Sequence, residues 1–291
     1  MGPLRVGLLG AGAWAWLAHA PALRAGPNTC LAGVWSRRVP SAESLAAHFG
    51  TKAFARLPDL LDACEAVALS VPPSVQAELG VTVAKAGRAL LLEKPLAADL
   101  KGAERLAEAI GESGVVSQLV LILRYSNTVR SYVVDALRTE PFAGQAAWLS
   151  GGALRGPSAT PWRRELGAIG DLGPHVIDLM DAALGRVVGV RAHGKVEEWS
   201  GLLLEHEGGA VSEVSLSHRV PVREPVCRFV TCGRRGTASL DPPVVGPDSW
   251  ATLTTEFARS VQGGEDHPLN AQHGLHLQRI IAAARGQLGG G

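Results

Sequence analysis

The start of the chain constrains its fold most. Val6-Gly7-Leu8-Leu9 is an apolar run of strand length, and it feeds directly into Gly10-Ala11-Gly12-Ala13-Trp14-Ala15 and an Ala-rich segment with helical character. A second apolar run, Leu31-Ala32-Gly33-Val34-Trp35, stops at Ser36-Arg37-Arg38. Strand, glycine turn, helix and strand in this order make a βαβ unit, which calls for a parallel sheet with helices on its faces. Gly10 supplies the backbone angles of a tight turn, and Gly12 leaves room for phosphate against the main chain. Ala15 stands where the pattern needs a small residue for helix-on-strand packing. Amide groups at the helix start, with the helix dipole, favour bound phosphate. The stretch reads as a dinucleotide-binding turn with Gly10, Gly12, Ala13 and Trp14 as candidate contacts; a glycine-rich turn without a ligand is the plainer alternative.

The end of the second strand bears on which dinucleotide. An acidic residue there bonds free ribose hydroxyls, whereas an Arg suits a 2′-phosphate. Ser36 takes the acidic position and Arg37 and Arg38 follow, so NADP is expected over NAD. Two solvated surface arginines are the competing account.

Composition narrows the rest. With 291 residues, 46% of them apolar, the chain suits two domains with a sizeable core. A net charge of +1 and no clustered basic face argue against nucleic acid as a partner. Cys30, Cys64, Cys227 and Cys232 lack metal spacing and read as core thiols; no metal is expected. No signal peptide is expected, and no apolar run reaches the roughly 20 residues that span a bilayer. A cytoplasmic protein without membrane contact is the expectation, with Gly289–Gly291 a frayed tail.

Further βα units follow. Helices are predicted at Ser41–Phe49 with Ser41 as cap, Leu57–Ala63, Val75–Ala86 and Leu100–Ile110. Apolar strands are predicted at Ala66–Val71, Ala89–Leu92 and Val115–Leu123. After a helix over Val129–Leu137 come strand-like segments at Ala146–Ser150, Val187–Ala192, Ser200–Glu205, Ala210–Ser217, Val226–Cys232 and Thr237–Leu240. Helices are predicted at Asp171–Leu184 and near the C-terminus. The fold class is α/β: a dinucleotide-binding domain over 1–122 with a parallel sheet, and an α+β domain over 123–291 with an open, largely antiparallel sheet.

Ligands in open α/β sheets bind beyond the carboxyl ends of the strands. Val71-Pro72 and Glu93-Lys94-Pro95 lie at two such ends, which adds Val71, Pro72, Glu93 and Lys94 as candidate cofactor contacts. A Lys beside a nicotinamide can donate to an oxygen that changes charge during hydride transfer, although a strand-end Lys alone is more often a solvated group. Downstream, Gly170-Asp171-Leu172-Gly173-Pro174-His175-Val176-Ile177-Asp178 sets Asp171 and His175 four apart, on one face of a helix. A His oriented by a carboxylate is a proton shuttle near neutral pH. A helix-capping Asp with a core His fits the spacing equally well. Trp162 and Arg163 are candidate substrate contacts by stacking and hydrogen bonding, with core packing the default for Trp162. His273 and His276 read as a solvated helix face.

These pieces together resemble the Gfo/Idh/MocA oxidoreductase family (glucose-fructose oxidoreductase / inositol dehydrogenase-like). The resemblance rests on Gly10-Ala11-Gly12, Glu93-Lys94-Pro95-Leu96-Ala97, Trp162-Arg163 and the Asp171–Asp178 motif, in order along nearly the whole chain. It implies a Rossmann domain followed by an open-sheet domain that forms homodimer or homotetramer contacts. It also implies NAD(P)-dependent transfer of hydride between nicotinamide and an alcohol or carbonyl carbon of a sugar-like small molecule. Lys94 then bonds the reacting oxygen, His175 exchanges its proton, and Asp171 orients substrate or His175. With NADP, reduction is the expected direction. Imine or tetrapyrrole reduction, and a non-catalytic dinucleotide-binding regulator, are the alternatives. Two departures bear on the substrate side. Ser74-Val75-Gln76 replaces the family's usual His, and Gly167-Ala168-Ile169-Gly170 replaces its glycine run.

Overall fold

Ala66–Leu69 and Ala89–Leu92 have no polar face to offer to water, so they must lie inside a sheet covered on both sides. In the computed structural model, which describes residues 2–154 and 159–288, they do. Positions 155–158 of the Gly151–Thr160 loop and the closing Gly289–Gly291 lie outside the described residues.

The chain divides into two units, Met1–Ile122 with Gly246–Leu275, and Leu123–Val245 with His276–Gly291. The boundary expected at 122/123 therefore gains a return: Gly246–Leu275 group with the first unit rather than with the second. The reason is local pairing. Leu119 N–H donates to Leu269 O at 2.7 Å, Ala271 N–H to Ser117 Oγ at 3.0 Å, and Gln118 Nε2 to Leu253 O at 3.1 Å.

The first unit holds β1 (Leu4–Leu9), β2 (Thr29–Trp35), β3 (Ala66–Leu69), β4 (Ala89–Leu92) and β5 (Ser117–Leu119), all parallel in the order β2-β1-β3-β4-β5. Three local details differ from expectation. The first helical segment opens with a π-helical stretch, Ala15–His19, before the α-helix Ala20–Ala25. The second helix is Val39–Phe49, capped at Arg38 instead of Ser41, because Pro40 suits the first turn. The strand expected over Val115–Leu123 is short, and Ile122–Tyr125 coils into a 3-10 turn.

The second unit holds β6 (Pro141–Leu149), β7 (Val187–Gly194), β8 (Ser200–His206), β9 (Val211–Ser217), β10 (Val226–Gly233) and β11 (Gly236–Leu240). Their order is β11-β10-β6-β9-β8-β7; only β6–β9 is parallel. The helices Asn127–Arg138 and Gly173–Leu184 pack on one face. Phe229, fully buried, lies against Tyr132 at 6.5 Å between ring centroids. The other face carries Leu203, Val211 and Val226 in partial exposure among charged side chains such as Arg191, Glu205 and Arg228. Among the described residues no helix is long and apolar enough to cross a membrane.

Candidate active site

In the first unit the strand ends converge as a cofactor cradle requires. Gly10 has φ 109°, and a Cβ there would sit 2.2 Å from the Ser70 carbonyl oxygen, so only glycine fits. A Cβ on Gly12 would meet no atom within 4 Å: the space a pyrophosphate needs is open. A hollow of about 180 Å³ runs from this turn past Trp35, Ser36, Arg37 and Arg38 to Val71 and Pro72. Ser36 Oγ accepts from Arg38 N–H at 3.1 Å and closes the turn that presents both arginines at the start of Val39–Phe49. These residues fit a bound dinucleotide.

The turn after β4 is joined to this cradle. Glu93 accepts at Oε1 from Trp14 Nε1 at 2.7 Å and lies 2.7 Å from His19 Nε2. Trp250 meets both Trp14 and His19 edge-on, at 6.1 and 5.5 Å. Gln76, fully buried, grips the same turn. Its Oε1 accepts from Glu93 N–H at 2.8 Å, and its Nε2 donates to the carbonyls of Glu93, Pro95 and Leu96 at 2.7–3.2 Å. The Lys94–Pro95 peptide is cis, and Lys94 is half-buried.

The second unit gathers a separate polar group. Gly167 breaks Pro161–Asp171 with φ 69° and ψ 179°. A Cβ there would lie 2.4 Å from the Val196 carbonyl oxygen. Arg285 Nη1 donates to the Leu166 carbonyl freed by this break, at 2.6 Å. Arg163 thereby reaches Asp171, Nε to Oδ1 3.3 Å, while its guanidinium lies 4.8 Å from the Trp162 ring centre. Trp162 and Arg163 sit in the first turn of this helix. Asp171 and His175 do not share one helix: Asp171 ends Pro161–Asp171 and His175 lies in the first turn of Gly173–Leu184. Both are buried. The His175 ring faces Trp148 at 5.8 Å between centroids. Asp178, 1% exposed, is bound by Arg124 Nη1 at 2.8 Å and is structural.

Sequence reasoning missed Gln76, His19, Arg124, Trp148 and His218. Gln76 occupies the region where the resembled family has a His, and that position was the available signal. His276 is buried and within 3.2 Å of Asp181, not on a solvated face, because the last helix turns it inward.

Residues 4–120 match the family described as "Oxidoreductase family, NAD-binding Rossmann fold", and residues 140–239 match the GFO/IDH/MocA C-terminal domain. The chain is 30% identical to a dTDP-3,4-didehydro-2,6-dideoxy-alpha-D-glucose 3-reductase of Streptomyces antibioticus, over 97% of each chain. It is 29% identical to a glucose-6-phosphate 3-dehydrogenase of Bacillus subtilis, across 60% of this chain and 52% of that one. It spans 35% of a similar 3-reductase of Actinomadura kijaniata. The fold matches solved structures. One is GenD2 from gentamicin A biosynthesis in complex with NAD (TM-score 0.87, 21% identity, 100% and 95% covered). Another is UDP-N-acetylglucosamine 3-dehydrogenase GnnA from Acidithiobacillus ferrooxidans (TM-score 0.85, 22% identity, 99% and 98% covered). The chain belongs to the Gfo/Idh/MocA family of oxidoreductases.

Replacing Gln76 by Leu strands buried carbonyls and the Glu93 amide. Urea unfolding is expected to show a loss of about 2–4 kcal/mol, against a near-neutral surface control such as Glu78→Gln.

Proposed function

We propose that the protein is an NADP-dependent oxidoreductase that moves hydride to or from C3 of a hexose derivative. The observation that carries this reading is the Trp14–Glu93 hydrogen bond, which ties the Gly10–Gly12 cradle to the turn bearing Lys94. Support comes from the relatives above, four of which are named for chemistry at position 3 of a sugar. The bound nicotinamide supplies the hydride acceptor or donor, and the protein supplies placement and electrostatics. The Lys94 ammonium donates to the substrate oxygen and stabilises charge that develops there. His175 takes or returns the hydroxyl proton, a task suited to imidazole near neutral pH. Asp171, held by Arg163, orients a neighbouring hydroxyl or His175.

Ser36, Arg37 and Arg38 line the ribose end of the hollow without a carboxylate among them, which favours a 2′-phosphate. NADPH is expected to bind about ten- to hundred-fold tighter than NADH, read by fluorescence titration. Arg37→Asp with Arg38→Asp is expected to reverse the order, and equal or tighter NADH binding to the unmodified protein sinks the preference.

A screen of D-glucose 6-phosphate and UDP-N-acetylglucosamine with NADP⁺, followed by absorbance at the reduced-cofactor band, tests the activity. In single-turnover work on a substrate found there, Lys94→Ala and His175→Ala are each expected to lose about 10²-fold or more while still binding NADPH. Rates near normal in both variants remove the assigned roles. Tight cofactor binding without turnover of sugars, ketones or imines points to a regulatory protein.

We also propose that a second copy covers the open face of the six-stranded sheet, whose mix of Leu203, Val211 and Val226 with charged neighbours suits a subunit contact. Light scattering is expected to give a dimer or tetramer, and Leu203→Arg with Val211→Arg to lower that mass. A monomer at micromolar concentration rules the contact out.

A further inference from the structure

We propose that His218 is a substrate-binding residue: its imidazole hydrogen-bonds a hydroxyl of the sugar beside the Arg163–Asp171 pair and helps set which sugar is accepted. The proposal rests on the sugar-oxidoreductase reading above and assigns that reading a residue on the substrate side.

Backbone hydrogen bonds between the β6 and β9 segments continue past the strand ends: Ser150 N–H donates to Ser217 O at 2.8 Å, and Val220 N–H to Ser150 O at 3.0 Å. His218 lies two residues past Leu216, which pairs with Trp148 and lies against Gly173. Strand alternation therefore puts His218 on the face that carries the Trp148–His175 contact. It lies within electrostatic reach of Asp171 and Arg163.

The backbone here is firmly held. Ala153 N–H donates to His218 O at 3.0 Å, and Ser217 Oγ donates to Glu198 O at 2.6 Å. His218 is 2% exposed, and among the described residues neither Nδ1 nor Nε2 has a hydrogen-bond partner. Other buried histidines use their rings to brace the fold. His206 bonds Gly185 O and Ser212 Oγ, and His267 bonds Glu256 and Leu269 N–H. A ring buried with both nitrogens idle costs stability unless a ligand completes it.

Burial pushes the His218 pKa below its ordinary value. The Asp171 carboxylate opposes that, and the Arg219 and Arg163 guanidiniums add to it. The ring is therefore neutral near pH 7, with one donor and one acceptor. A hydroxyl group, itself donor and acceptor, is its complement. A carboxylate or phosphate would use only the donor and leave the other nitrogen unmet.

The test uses the full-length enzyme with the sugar turned over in the screen above. His218→Phe is expected to raise KM about tenfold or more with kcat changed far less. His218→Gln, which keeps a donor and an acceptor, is expected to recover much of that loss. Should His218→Phe fail to fold, ring ¹⁵N signals of the unmodified protein serve instead: those of His218 shift on titration with that sugar. Turnover with unchanged KM in both variants, or an unmoved His218 signal at saturating sugar, overturns the assignment and leaves the reaction standing. No turnover of any sugar by the unmodified enzyme overturns the reaction and this assignment with it.

Discussion

Gln76 uses both ends of its side-chain amide on one turn. Its oxygen takes the Glu93 amide proton while its nitrogen serves the carbonyls of Glu93, Pro95 and Leu96. Because Gln76 sits in the first turn of Pro73–Lys85, directly after Pro72, the bracing ties the end of β3 to the end of β4. Glu93 then extends the tie to the end of β1 through Trp14 and His19. Three strand ends that share only backbone hydrogen bonds within the sheet are thereby locked above it by side chains. In the low-dielectric interior such a network is strong when complete and costly when broken.

The second unit solves a different problem, that of keeping charge inside. Asp178 is closed off by Arg124, and such a buried pair is costly to separate because either partner alone would be an uncompensated ion. Asp171 is reached by Arg163 only because Gly167 interrupts the helix and lets the chain double back. The glycine at that position is a backbone requirement, met by an αL-region φ that a side chain resists. The separate junction at Leu172, just before Pro174 at the start of Gly173–Leu184, is what places Asp171 and His175 on different helices.

Much of this was legible in the sequence. Apolar runs bounded by Gly and Pro fixed the strands of the parallel sheet, since buried strands leave a compositional trace. The Gly10–Gly12 turn and Glu93-Lys94-Pro95 were visible because each needs particular residue types at fixed spacing. What stayed hidden depends on contacts between distant segments. Gln76 looks like any polar helix residue until the turn it grips is in place. Trp148 is one aromatic among several until His175 meets it, and His218 belongs to no motif. The helix Pro161–Asp171 is not among those predicted from the sequence, and neither is its break at Gly167, whose need for glycine shows only against the Val196 carbonyl. The grouping of Gly246–Leu275 with the first unit left no compositional seam, because the returning helices are as amphipathic as their neighbours.

That return has a consequence for how the chain acquires its structure. β5 is an edge strand, and an unpaired edge invites association with other chains. Its outer side is closed by Leu269, Ala271 and Leu253, which the ribosome delivers about 130 or more residues after β5 itself. During synthesis the nucleotide-binding sheet therefore waits, with one margin open, until nearly the whole polypeptide has emerged. A fragment cut at Ile122 would keep that margin open permanently. Contacts this distant in sequence slow folding, so the first unit is the earlier to be made and among the later to be finished.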